Sequence, residues 1–208
     1  MGRRHQSGQT KLSERQRLEL ASEAARIMAT EGQKSYLIAK QKAADRMKMT
    51  NRQALPSNAE VHDALMTYQR LYGGDRHQAH LQSLRKSALE AMRFLKPFSP
   101  RLVGPVVDGT ADQFSRICLH LFTDDPDRPM HYLMSHEVPF SQERRRIRWH
   151  RNTHKDIDVL VIEDEDEVIE CSIMVGDDAK TAPPSPIDGQ PMVRASFQEV
   201  ASWVELGE

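Results

Sequence analysis

Gly104-Pro-Val-Val-Asp-Gly-Thr-Ala-Asp-Gln-Phe-Ser-Arg-Ile-Cys118, continued by Leu119-His120-Leu121-Phe122, is the stretch on which the fold turns. Residues 101–107 read as a strand that runs into a glycine-containing turn, and residues 115–122 read as the strand that leaves it. Side chains alternate along that second strand. Ile117, Leu119 and Leu121 make one apolar face, expected in a core. Arg116, Cys118 and His120 point the other way and are the residues free for chemistry.

The chain around this stretch changes regime at Pro97 and Pro100. Before them the pattern is helical. Residues 1–12 are polar, basic and aperiodic and are expected to be a disordered arm. Ser13 precedes a helix with Leu18, Ala21, Ala25 and Met28 on one face. Gly32 interrupts it, and the period resumes through Tyr36, Ala39, Ala43 and Met47. Ser57 or Asn58 caps a helix striped by Val61, Ala64, Leu65, Tyr68 and Tyr72, which ends at Gly73-Gly74-Asp75. Leu81, Leu84, Ala88, Met92 and Leu95 mark another. After the prolines come short strands: 143–150, then 156–163 and 168–175 as a hairpin with an acidic tip at Asp164-Glu165-Asp166. Asp125-Pro126 opens a short helix. Residues 177–192 are rich in proline and read as an extended tail. Ser196 and Glu199 form a capping box for a last helix carrying Val200, Trp203, Val204 and Leu206. The expected fold class is α+β. Its parts are a helical region over 13–82, a small mixed sheet with helices over 83–176, and a tail with a terminal helix over 177–208.

Composition narrows the function classes. The 208 residues are 38% hydrophobic and carry a net charge of -1, so global charge selects no partner. Mean hydropathy is -0.64, polar for a fully compact globule. The two cysteines, Cys118 and Cys171, fall inside expected strands and form no disulfide framework, which points to a reducing compartment. No apolar run approaches the roughly 20 residues of a membrane span, and no signal-peptide core is present. Gln6 stands where a myristoylation signal wants Ser or Thr. The expectation is a cytoplasmic protein with no membrane partner.

The strand–turn–strand layout resembles the core of the DNA polymerase β-like nucleotidyltransferase superfamily, over roughly residues 84–173. In that family a Gly-Ser pair ends one strand, a glycine follows, and an Asp-x-Asp pair opens the next. Gly104, Gly109 and Ser115 match the pattern, and Thr110 adds a nearby hydroxyl. Gly109-Thr-Ala-Asp also resembles a loop shared by a group of bacterial proteins. The family's two aspartates hold Mg²⁺ ions that bind the nucleotide's phosphates and activate the attacking hydroxyl. Here those positions fall at Arg116 and Cys118. A guanidinium repels a dication and a thiolate prefers softer metals. Pro105 replaces the family's serine and removes both a hydroxyl and an N–H. The family's third carboxylate corresponds to Glu170, or alternatively Asp158.

The resemblance therefore implies a catalytically degenerate nucleotidyltransferase-like protein, with no cofactor, that binds a nucleotide, RNA or a protein. Ligand contacts are expected from Gly104, Gly109, Thr110, Ser115, Arg116 and His120. The basic run Arg144-Arg-Arg-Ile-Arg148 puts Arg144, Arg146 and Arg148 on one strand face, with Arg145, Ile147 and Trp149 on the other. The former three are expected to extend the surface at Arg116. The same run also reads as an edge strand guarded by charge. One alternative is an active transferase using Mg²⁺ on relocated carboxylates, Asp108, Asp112 and Glu170. Another is a scaffold whose N-terminal helices self-associate or bind a protein. His150 and His154 with the cysteines lack the tight spacing of a zinc site.

Overall fold

A computed structural model describes residues 4–49, 55–164 and 167–207, with side chains from Glu14 onward. The elements in chain order are α1 (Arg4–Glu31), α2 (Tyr36–Arg46), α3 (Asn58–Tyr72), α4 (Gly74–Phe94), β1 (Arg101–Val103), α5 (Pro105–Asp108) and β2 (Ile117–Thr123). There follow α6 (Arg128–Ser135), β3 (Ser141–Arg148), β4 (His154–Asp164), β5 (Glu167–Val175) and α7 (Phe197–Leu206). The α+β class is as expected. The chain divides into two compact units, Met1–His77 and Gln78–Glu208. No helix among the described residues is long and apolar enough to cross a membrane.

In the first unit α1, α2 and α3 pack around Leu20, Ala21, Ala24, Ala25, Ile27, Ala39, Ala43, Val61 and Leu65. The many alanines let the helices approach closely. Ser35 caps α2, and Ser57 with Glu60 forms a reciprocal capping box on α3. Two expectations change. α1 starts at Arg4, so the arm expected to be disordered is helical from residue 4; it holds no proline, and Gly8 alone costs helix only about 1 kcal/mol. Residues 1–3 lie outside the described residues. Leu18, placed on the buried stripe by its period, is exposed, as are Leu71 and Tyr72 of α3. These three line an open groove together with Tyr68 and Arg26.

The second unit is built on a five-stranded sheet ordered β1-β2-β5-β4-β3. β2 and β5 are parallel, and the other neighbours are antiparallel. One face carries Ile117, Leu119 and Leu121 of β2, Ile169, Cys171 and Ile173 of β5, and Leu160 and Ile162 of β4. It packs with Leu84, Ala88 and Met92 of α4, Leu133 of α6 and Val200 of α7. The expected hairpin forms, with Asp164 opposite Glu167; its tip at 165–166 lies outside the described residues. The capping box at Ser196 and Glu199 forms as expected and starts α7.

Boundaries move for identifiable reasons. The first strand stops at Val103 rather than 107, because Gly104 adopts φ 75°, ψ -152° and Pro105 then begins α5. The valines at 106 and 107 suggest strand, but they sit in that helical turn. β2 begins at Ile117 rather than 115, since Ser115 N–H bonds the Asp112 carbonyl and closes a turn. α6 begins two residues later than Pro126, because the Asp125 carboxylate accepts from the Asp127 N–H and holds a turn there. β3 spans 141–148 rather than 143–150, and His150–Asn152 form a 3-10 turn with Arg151 at φ 54°. The expected tail at 177–192 is not loose. It begins with a 3-10 turn at Gly176–Ala179 and is pinned across the second face of the sheet.

Candidate functional site

Strand register assigns every side chain of the sheet to a face. Cys118 lies opposite Glu170, His120 opposite Ser172 and Phe122 opposite Met174. Val161 lies opposite Glu170 and Val159 opposite Ser172. Arg145 lies opposite Ile157 and Glu143 opposite Val159. Arg116, Cys118, His120, Glu170, Arg145 and Glu143 therefore share the face turned away from the helices. Arg144, Arg146 and Arg148 do not. Arg144 lies opposite Asp158 and Arg146 opposite Asp156, on the helix side. The expectation that these three extend the Arg116 surface is corrected by one residue of parity: Arg145 is the arginine that reaches it.

Glu170 is the centre of the shared face. Arg116 Nη1 donates to its Oε1. Arg145 forks onto both oxygens, Nη1 to Oε2 at 2.6 Å and Nη2 to Oε1 at 2.9 Å. Arg145 also donates from Nε and Nη2 to Glu143 Oε2, at 2.8 and 2.6 Å. The Glu170 side chain is only 13% exposed. Burial raises its pKa, but the hydrogen bonds and charges of Arg145 and Arg116 outweigh that, and the carboxyl is held below its ordinary value. Arg145 in turn is raised, mainly by its bond to Glu170. This face of the sheet thus has the Glu170 carboxylate set against the Arg116 and Arg145 guanidiniums, and they neutralise each other.

That donor set does not fit Mg²⁺. The ion takes several hard oxygens in a near-octahedral shell, and beside Glu170 stand two guanidiniums and the Cys118 thiol. The relocated carboxylates are not gathered either. Asp108 Oδ1 accepts from Thr110 Oγ1 at 2.6 Å and from Thr110 N–H at 3.2 Å. Asp112 Oδ1 accepts from Phe114 N–H and Ser115 Oγ, both at 2.9 Å. Among the described residues, no group of three or more His, Cys, Asp or Glu side chains is placed to hold a metal.

The loop's hydroxyls are likewise spent on the loop. Thr110 is buried, and Ser115 Oγ both accepts from Asp112 N–H and donates to its carboxylate. Gly104 and Gly109, at φ 75° and 79°, are there because the turn needs a left-handed backbone. The Thr110 and Ala111 amides bond the Pro105 carbonyl. These residues shape the turn that delivers Arg116.

His120 is not an open ligand. It is buried, and its Nδ1 accepts from Arg194 Nε at 3.0 Å. Arg194 also donates to the Ala179 and Asp178 carbonyls, both at 3.0 Å, and stacks over Phe122 at 5.0 Å. Lys155 bonds both oxygens of Asp178, and His150 meets the Ala182 carbonyl at 2.8 Å. Residues 176–195 are thereby strapped over the β2, β5 and β4 end of this face. Sequence reasoning missed Arg145, Arg194 and the Lys155–Asp178 pair. A period-2 count across β3 marks Arg145; no local pattern marks the other two. No family model, curated protein or solved structure matches the chain.

Proposed function

We propose that the chain is a nucleotidyltransferase-like protein that has lost metal-dependent transfer and works as a metal-independent binding module for an anionic partner. The observation that carries this is Glu170. The one acid left at a family metal position is shared between Arg116 and Arg145, so the face that would hold Mg²⁺ is closed by internal ion pairs. The strap at 176–195 occupies its other half. An active transferase on Asp108, Asp112 and Glu170 draws no support from side chains that are already engaged. On β3, Arg144, Arg146 and Arg148 form a row of exposed cations. Their ligand chemistry is phosphate or carboxylate, as in a nucleotide, RNA or an acidic protein segment. A reducing, cytoplasmic setting belongs to this reading, supported by two cysteines that are not joined in a disulfide.

The test is anisotropy titration of labelled ATP, single-stranded RNA and an acidic peptide, in Mg²⁺ and in EDTA. Binding of at least one probe that survives EDTA and weakens with salt is expected. Strict Mg²⁺ dependence, or incorporation of labelled nucleotide into any acceptor, would overturn the reading.

A further inference from the structure

The two edges of the sheet are finished differently. At one, β1 is bridged to the returning tail: Leu102 N–H bonds the Ala195 carbonyl at 3.0 Å, and Ala195 N–H bonds the Leu102 carbonyl at 2.8 Å. At the other, β3 pairs with β4 on its inner side, and no strand among the described residues pairs with its outer side. Eight residues of edge backbone lie there, and alternate ones turn their N–H and C=O groups outward. Arg144, Arg146 and Arg148 stand along it on one face, about 7 Å apart at the usual strand rise. β4 already displays what complements that row. Asp158 lies opposite Arg144, bonded at 3.4 Å, and Asp156 lies opposite Arg146. On the second face Glu143 and Arg145 satisfy each other at 2.6 Å, and Ile147 packs on the small cluster of Ile157, Val159 and Met174.

We propose that the outer edge of β3 takes an extended acidic segment of a partner protein as a sixth strand, with Asp or Glu at alternate positions opposite Arg144, Arg146 and Arg148. This rests on the metal-free binding reading and names its partner. A strand satisfies both the N–H and the C=O groups of an open edge. A nucleic-acid phosphate only accepts hydrogen bonds, so it meets the guanidiniums and leaves the edge carbonyls unmatched. A second copy of β3 fits badly. Symmetric antiparallel pairing centred on Arg144, Arg145 or Arg146 sets arginine against arginine, and centring on Glu143 sets glutamate against glutamate. The same row repels any basic strand, so protecting the edge and choosing the partner are one property.

The experiment uses the full chain at low salt, in EDTA and in parallel in Mg²⁺, read by fluorescence anisotropy. The probes are a labelled peptide of alternating aspartate and valine, two versions N-methylated on one or the other alternate set of amides, and an oligouridylate of equal charge. Expected is binding of the plain peptide, loss of about tenfold or more on methylating one set, and little change on methylating the other, because only one set faces β3. A triple Arg144→Gln, Arg146→Gln, Arg148→Gln variant that keeps its circular dichroism spectrum should also weaken the peptide about tenfold. Equal tolerance of both methylated peptides overturns strand addition. So does oligouridylate binding in EDTA without peptide binding; both outcomes leave the metal-free module standing. A requirement for Mg²⁺ by every probe overturns the module itself, and binding of none overturns both.

Discussion

Acid should destabilise the sheet unit through His120, and the size of the effect follows from where that imidazole sits. Its Nδ1 accepts from Arg194, so the folded protein holds it neutral. Burial and then the Arg194 charge push its pKa down from the ordinary 6.5 to about 3. In the unfolded chain His120 takes a proton as pH falls below 6.5; in the folded chain it does not until pH approaches 3. The unfolded state binds more protons throughout that window, so the contribution is fully present above pH 6.5 and is lost progressively towards pH 3. Linkage gives a loss of about 2 kcal/mol between pH 7.5 and pH 5 from this one group. Urea unfolding followed by tryptophan fluorescence reads it directly, because both tryptophans, Trp149 and Trp203, lie in the Gln78–Glu208 unit. In a His120→Gln variant the side-chain carbonyl can still accept from Arg194 but does not titrate. The variant should be less pH-sensitive than the wild type by about 2 kcal/mol over the same interval, whatever its absolute stability. Identical pH slopes in the two proteins would refute the assignment, since carboxylates and other histidines are common to both.

Glu170 gives a second measurable energy. Glu170→Gln leaves Arg116 without its partner and should cost about 2–3 kcal/mol by thermal or urea unfolding, with Arg116→Leu restoring part of it in a double-mutant cycle. Strict additivity of the two substitutions would mean the pair is not coupled. The cysteines should separate by reactivity. Cys118 is partly exposed, whereas burial first, then Cys118 and Glu170, push the Cys171 thiol up to about 12. Ellman's reagent should therefore titrate one thiol in the native protein and two in urea; two native thiols would contradict the burial of β5.

The elements legible in sequence are those whose signal is local. The cap at Ser57, the capping box at Ser196 and the 156–163/168–175 hairpin each follow from local spacing. The apolar parity of β2 does so too: Ile117, Leu119 and Leu121 are all buried. What was illegible depends on partners far along the chain. His120 looks open because nothing nearby says that Arg194, seventy-four residues away, returns to cover it. Leu18 looks buried because a helical period assigns it to a stripe without saying where the neighbouring helix ends.

The position of Glu170 illustrates how these two kinds of information combine. Sequence places it one residue out of step with the apolar period of β5, where a solvated strand face is the ordinary reading. Only the parallel register with β2 brings it beside Cys118 and within reach of Arg116, and only the parity of β3, two strands away, brings Arg145 to the same carboxylate. An arginine at Arg116 alone would leave a site merely short of a ligand. Two guanidiniums on one carboxylate change the sign of the charge that this face can accept. A dication there must displace two fixed positive charges before it meets its first oxygen, whereas an anion must displace only Glu170. Placing acids at 116 and 118 without also replacing Arg145 should therefore not create a metal site. A calorimetric Mg²⁺ titration of Arg116→Asp/Cys118→Asp, with and without Arg145→Gln, separates these cases: heat of binding only when Arg145 is also removed is the expected result.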